Sequence, residues 1–387
     1  MSQANAKPRI ALALAGGGPL GAIYEIGVLC ALEETLLGLD LTRLDHYVGV
    51  SAGGFIAAGL ANGIRPREMC ASFIENSAPG AEVFDPAWLT VPAYGEFVRR
   101  AARLPLLAAS AAWRATFGRK SLLQVAEGFA PALPTGLFSN DEVHRRLSAF
   151  FSQPGRSNEF RALRGRLTLV ATELDTAKPV AFGGPGWDHV PVSLAVQASC
   201  AMPGLFPPVA IDGRLFVDGA LTKTMHASAA LEGGVDLMLC INPLVPFTRP
   251  GLARGGLPAV LSQSVRTMIH SRLALGMKQY ARDYPTTDIV LIEPDGGDGE
   301  LFAANIFSYG QRRHMAEHAY QQARAWLRSR ERPLAARLAE HGIMINRDVL
   351  HAPLRVLVPP RRPGRLVHTV GRLQAVLDEL DTTLQSA

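Results

Sequence analysis

The sequence predicts an α/β fold of three layers, in which a mostly parallel central sheet is covered by helices on both faces and carries a helical cap insertion. Three observations carry that expectation. Short β-rich runs alternate with longer helical patterns along most of the chain. Several of those runs are apolar throughout, as strands buried on both faces must be. A stretch at about 78–138 breaks the alternation with Pro79, Pro86, Pro92, Pro105, Pro131 and Pro134 between alanine-rich segments, and reads as the cap.

In chain order, RIALALA (9–15) is the first strand, followed by GGGPLG (16–21) and a helix over 21–37. HYVGV (46–50) is the second strand and runs directly into a small-residue helix over 52–62. After the cap come a helix over 139–151, strands over 166–174 and 179–184, a helix over 192–200 and a strand over 214–218. A strand over 236–242 leads to a helix over 257–283, on which Leu257, Leu261, Val265 and Met268 are spaced 4, 4 and 3 and share one face. A strand over 288–294 and a helix over 307–330 follow. Residues 1–345 are expected to form the main domain, and 346–387, which includes the run PPRRPGR, a peripheral C-terminal tail.

Composition narrows the function classes. A chain of 387 residues that is 48% hydrophobic and 19% charged can bury a large core and is not a disordered chain. A net charge of +5 over this length suits an anionic surface but does not mark a nucleic-acid binder. Cys30, Cys70, Cys200 and Cys240 form no C-x-x-C and read as buried free thiols. The six-residue apolar run after Lys7 and Arg9 is too short for a signal peptide, and no run reaches the roughly 18 apolar residues of a span. The expectation is a cytoplasmic protein whose contact with membrane, if any, is peripheral.

Gly16, Gly18 and Gly21 fit G-x-G-x-x-G, but the dinucleotide reading needs an acidic residue at the end of the second strand. Here that strand ends in Val50 and Ser51, with Asp40 and Asp45 before it. No cofactor and no metal is implied. What remains is either a tight packing turn or a loop of backbone N–H groups at a helix N-terminus, suited to a developing oxyanion. Gly49-Val50-Ser51-Ala52-Gly53 is a G-x-S-x-G between strand and helix, the pattern of a nucleophile elbow; a plain serine N-cap is the alternative. A serine needs a base. Among the histidines His226 is the best candidate, while His189 and His314 read as surface or packing residues. The sharper candidate is Asp218, which ends the strand RLFVD before Gly219-Ala220, with an Asx-turn as its alternative role.

GGGPLG, GVSAG, ASCAMPGLFPPV (198–209) and VDGA (217–220), in that order, resemble the four blocks of the patatin-like phospholipases, serine acyl hydrolases with a Ser–Asp dyad. The resemblance implies Ser51 as nucleophile, Asp218 as base, and Gly16, Gly17 and Gly18 as the oxyanion hole, with Pro203 a structural proline beside the site. Leu20 departs from the family, which commonly carries Arg or Lys there. The implied function is cleavage of carboxylic esters of lipids or phospholipids through an acyl-enzyme. A thioesterase, a soluble-ester hydrolase and a catalytically silent lipid-binding protein are the alternatives. The base must be desolvated, because an ordinary carboxyl pKa of about 4 makes a poor base at neutral pH. Residues 95–120 hold six cations against Glu96, with Phe97, Trp113 and Phe117 among the apolar residues. This stretch reads either as a surface for anionic membrane or as cap helices packed on the core. The sequence fixes no oligomeric state.

Overall fold

The computed structural model describes residues 7–77, 86–109, 130–246, 251–295 and 309–358. Its centre is set by strands that have no polar face. β1 (Ile10–Leu14) is buried at every residue. After helix α1 (Gly18–Thr35) and the two-residue β2 (Leu36–Leu37), β3 (His46–Val50) is equally buried. Helix α2 (Ala52–Ala61) follows β3, and after the stretch that includes the expected cap and a helix over Asp141–Phe151 comes β4 (Arg166–Glu173), which pairs with β5 (Lys178–Phe182). Helix α3 (Val192–Ser199), β6 (Val209–Ile211), β7 (Arg214–Asp218) and β8 (Leu237–Ile241) follow. The long helix α4 (Gly256–Asp283) leads to β9 (Asp288–Ile292), then helix α5 (Tyr309–Ser329) and β10 (Met344–Ile345).

Strands β4-β3-β1-β8-β9 are parallel, and β7 and β6 continue the sheet antiparallel beyond β4. The expectation of a mostly parallel sheet between helical layers holds. Alternate residues of β1 supply two cores, as the period of a strand requires. Leu12 and Leu14 pack in the layer that contains α1, α2 and α5, whereas Ala11 and Ala13 pack with Leu231, Leu273 and Tyr280 on the other face.

The register around β4 positions the site. Arg166–Val170 pair with β3, Ala171–Glu173 pair with β7, and β5 spans Leu169–Glu173. Because β5 overlaps both partners, β3 and β7 must lie end to end along the opposite edge of β4. Val50 sits across from Val170 and Asp218 across from Ala171, so two strands distant in sequence terminate at adjacent residues of one template strand.

Two outlying regions differ from the sheet. In the stretch expected as a cap, helix Tyr94–Ala101 rests on buried Glu96, which pairs with Arg99 and Arg100 and accepts a hydrogen bond from Thr135. The chain from this stretch reaches the core at Phe138, whose N–H donates to the Leu205 carbonyl. Trp113, Arg114, Phe117, Arg119 and Lys120 lie outside the described residues. The boundary expected at 345 falls in packed structure: Met344 and Ile345 pair with β2, Leu350 and Leu357 are buried, and Arg324 donates to the carbonyls of Val349, Leu350 and Ala352. Residues 346–358 are therefore part of the main body; the rest of the expected tail lies outside the described residues. Among the described residues, no helix is long and apolar enough to cross a membrane.

Candidate active site

Ser51 stands between β3 and α2 at φ 52° and ψ −123°, a backbone conformation that a side chain rarely adopts. The flanking glycines make this turn possible. A Cβ on Gly53 would lie 2.5 Å from the Leu14 carbonyl, and one on Gly49 would lie 2.5 Å from the Gly54 Cα. The elbow is thus wedged between its own helix and the neighbouring strand, and it holds the strained serine in one conformation. The Ser51 N–H donates to the Ser199 Oγ at 2.8 Å, and the Ser199 hydroxyl donates to the Val170 carbonyl at 2.6 Å. This serine bridges the elbow to β4. Sequence reasoning passed over it, although it lies in the block ASCAMPG.

The register of β4 delivers the second group. The Ser51 hydroxyl donates to Asp218 Oδ2 at 2.6 Å, across 167 residues of sequence. The other oxygen, Oδ1, accepts the Ala220 N–H at 2.8 Å, so the local Asx-type bond and the bond to Ser51 coexist on one carboxylate. The Asp218 backbone is also fixed, its N–H donating to the Ala201 carbonyl and its own carbonyl accepting from the Thr172 hydroxyl. Asp218 is fully buried and Ser51 only 6% exposed. Burial pushes the Asp218 carboxyl up to about 6, against the smaller opposing effects of the Ser51 and Ala220 hydrogen bonds. A group with that pKa is mostly ionised at neutral pH yet basic enough to take a proton.

The glycine loop meets the same point. Gly16 lies so close that a Cβ there would be 3.3 Å from the Ser51 Cβ and 3.2 Å from the Ala220 Cβ. Its N–H, however, donates to the Thr224 carbonyl at 3.2 Å. The N–H groups of Gly17 and Gly18, at the start of α1, have no hydrogen-bond acceptor among the described residues. Gly18 takes φ +60°, which turns the chain into the helix. Leu20, at the position where a cation was the family expectation, packs against the apolar core instead.

Among the described residues, no histidine takes part in this cluster. His226 is buried, its Nε2 meets the Thr222 hydroxyl at 3.4 Å, and burial pushes its pKa down to about 4. His189 pairs with Asp212, and His314 stacks obliquely near His318. Cys200, expected among the buried thiols, is only partly buried, unlike Cys30, Cys70 and Cys240. It lies against Ser51 and Asp218, and burial together with the Asp218 charge raises its pKa, so it remains a neutral thiol. Met202, which follows the Ala201 carbonyl that accepts the Asp218 N–H, Leu205, and Leu221, three residues beyond Asp218, are exposed apolar side chains. Among the described residues, no three His, Cys, Asp or Glu side chains gather as metal ligands would.

A family model described as patatin-like phospholipase matches residues 12–231. Proteins of Mycobacterium tuberculosis and Mycobacterium bovis, each named an uncharacterized NTE family protein, are 32% identical over 108 residues, 28% of this chain and 28% of theirs. The match thus spans little more than a quarter of those relatives. Among solved structures, VipD from Legionella pneumophila aligns over 84% of this chain and 67% of its own at 15% identity and a TM-score of 0.37. The type III effector protein ExoU aligns over 84% and 54% at 18% identity and a TM-score of 0.36. Human GIVD cytosolic phospholipase A2 aligns over 88% and 60% at 12% identity and a TM-score of 0.36.

Proposed function

The chain belongs to the patatin-like phospholipase family, and on that premise we propose that it hydrolyses carboxylic esters of lipids through a Ser51–Asp218 dyad. The observation that carries the reading is the 2.6 Å bond from the Ser51 hydroxyl to a buried carboxylate, while the candidate histidine His226 faces the Thr222 hydroxyl. Asp218 takes the Ser51 proton as Oγ attacks the ester carbonyl carbon. The carbonyl π electrons move to oxygen, and the N–H groups of Gly17 and Gly18 hold that oxyanion at the positive end of α1. Collapse of the tetrahedral intermediate expels the alcohol, which takes the proton back from Asp218 and leaves an acyl-serine. Water then attacks the acyl group, gives a proton to Asp218, and a second collapse restores the Ser51 hydroxyl and releases the acid. Gly16, whose own N–H is committed to Thr224, leaves the space through which the carbonyl approaches Ser51.

Met202, Leu205 and Leu221 favour an acyl chain over a polar substrate, and Leu20 offers no charge to a phosphate headgroup. Residues 95–120 are proposed to rest on anionic membrane. In their described part, Tyr94 nearby and Val98, Leu104 and Leu106 are exposed, although Glu96 offsets part of the charge of Arg99 and Arg100. The test is a fluorophosphonate probe with mass-spectrometric mapping. Adduct formation on Ser51, lost in Ser51→Ala, supports the hydrolase. A folded protein that stays unlabelled while still binding lipid would make it a silent lipid binder instead.

A further inference from the structure

Helix α4 contains an inversion that the fold does not require. A helix on a globular surface normally turns its apolar stripe inward. Over its C-terminal half α4 obeys, with Leu273 and Tyr280 buried against the sheet. From residue 251 to 272 no described side chain is buried. Here Leu257, Leu261, Val265 and Met268 are 70%, 54%, 45% and 57% exposed, whereas Gln263, Arg266 and His270 lie on the half-buried side. Ala259 and Ile269 share that half-buried side, so this half turns most of its large apolar side chains outward and its long polar ones inward.

Geometry places this half beside the active site. The helix of 28 residues is about 42 Å long, while a strand of 5 residues is about 17 Å. It begins after the C-terminal end of β8, the sheet edge at which Ser51 lies. Arg272 touches the Leu221 carbonyl, three residues beyond Asp218, and His270 approaches Glu293 at the end of β9. Everything N-terminal to that level extends past the sheet edge as an arm, by about 20 Å at the helical rise.

Charge selects the occupant. Residues 251–282 include Arg254, Arg266, Arg272, Lys278 and Arg282 and contain no Asp or Glu. A second copy of the same arm would set Arg254 and Arg272 against like charge, whereas an anionic bilayer would meet the apolar stripe together with these two exposed cations; Arg266 lies on the half-buried side, and Lys278 and Arg282 belong to the half packed on the sheet. We propose that the arm Gly256–Arg272 is a membrane-docking element that inserts its Leu257–Met268 face among the acyl chains of an anionic bilayer and brings the Ser51 mouth to the lipid surface. This rests on the lipid-ester reading above and adds a surface distinct from residues 95–120.

The experiment measures vesicle flotation and hydrolysis on the full chain. The probes are vesicles of phosphatidylglycerol with phosphatidylcholine, and vesicles of phosphatidylcholine alone. Leu257→Gln, Leu261→Gln and Met268→Gln combined should lower partition onto the anionic vesicles by about tenfold or more. Hydrolysis of p-nitrophenyl butyrate, which needs no surface, should stay within about twofold. Ser51→Ala should float as wild type does, so the docking arm is judged even if no ester is cleaved. Should the triple variant misfold, Leu257→Gln alone must still lower partition by about threefold. Unchanged flotation of the variants would overturn the proposal, as would equal flotation of wild type on neutral and anionic vesicles. So would conversion of a dimer to a monomer by the triple variant without loss of vesicle binding, which would assign the face to a second copy.

Discussion

The sheet edge at Ser51 and the arm of α4 are neighbours built on opposite terms. At the edge, both oxygens of Asp218, the hydroxyl of Ser199 and the N–H of Ser51 all have partners within 2.8 Å, and the dyad is almost dry. On the arm, large apolar side chains face outward and none is buried. Chemistry demands atoms fixed in advance, because hydrogen-bond geometry set before reaction costs no reorganisation during it. Contact with a fluid surface demands area rather than fixed geometry. The two regions should accordingly fail in different assays.

The largest expected effect lies at the edge. Ser51→Ala and Asp218→Asn should each lower kcat/KM by about 10⁴ or more, alike on liposomes and on a short soluble ester. Steady-state kinetics on both substrates checks this, and an Asp218→Asn enzyme within tenfold of wild type would remove the base assignment. Asp218→Asn should also change the pH dependence of stability. The buried carboxyl, at about 6 against about 4 in the unfolded chain, binds its proton more tightly when folded, so it withdraws stability as pH rises from about 4 to 6. Thermal melts of the Asn variant should lack that decline.

The next effect is acid loss of activity. With Asp218 as base, kcat/KM should fall about tenfold per unit below a pH of about 6 and level off above it. A profile governed by a group near 7 would point to a histidine instead. Ser199→Ala should cost a smaller factor, about tenfold, because it loosens the Ser51 backbone without touching the reacting atoms. The smallest effect should be that of His226→Ala, within about threefold of wild type on the soluble ester. A dead His226→Ala enzyme with normal melting would break the division between edge and surroundings.

Much of the sheet could be read in the sequence because burial on both faces leaves an unambiguous apolar run; HYVGV and RLFVD match β3 and β7 residue for residue. The helix over 257–283 was equally clear from its spacing, yet spacing alone does not say whether a stripe faces in or out. That depends on the length of the helix relative to the sheet it crosses. The antiparallel direction of β7 was also hidden, since a single strand carries no sign of its partner's direction. Ser51 and Asp218 could be read from local turn chemistry and family pattern. Ser199 and Cys200 could not, because their roles come from the approach of α3 to the end of β3. The commitment of the Gly16 N–H to Thr224 was likewise a matter of tertiary contact.

The register of β4 has one more consequence. Asp218, the proposed base, and Val50, which directly precedes the proposed nucleophile Ser51, are held at adjoining rungs of a single ladder, Ala171 and Val170. A slip of one residue on either side would move a catalytic group by about 3.3 Å and turn it to the opposite face of the sheet. Catalysis then has no partially assembled form to pass through. On heating or in denaturant, activity and the sheet should vanish together in one transition, so that turnover of a soluble ester serves as a gauge of whether the central strands are still paired.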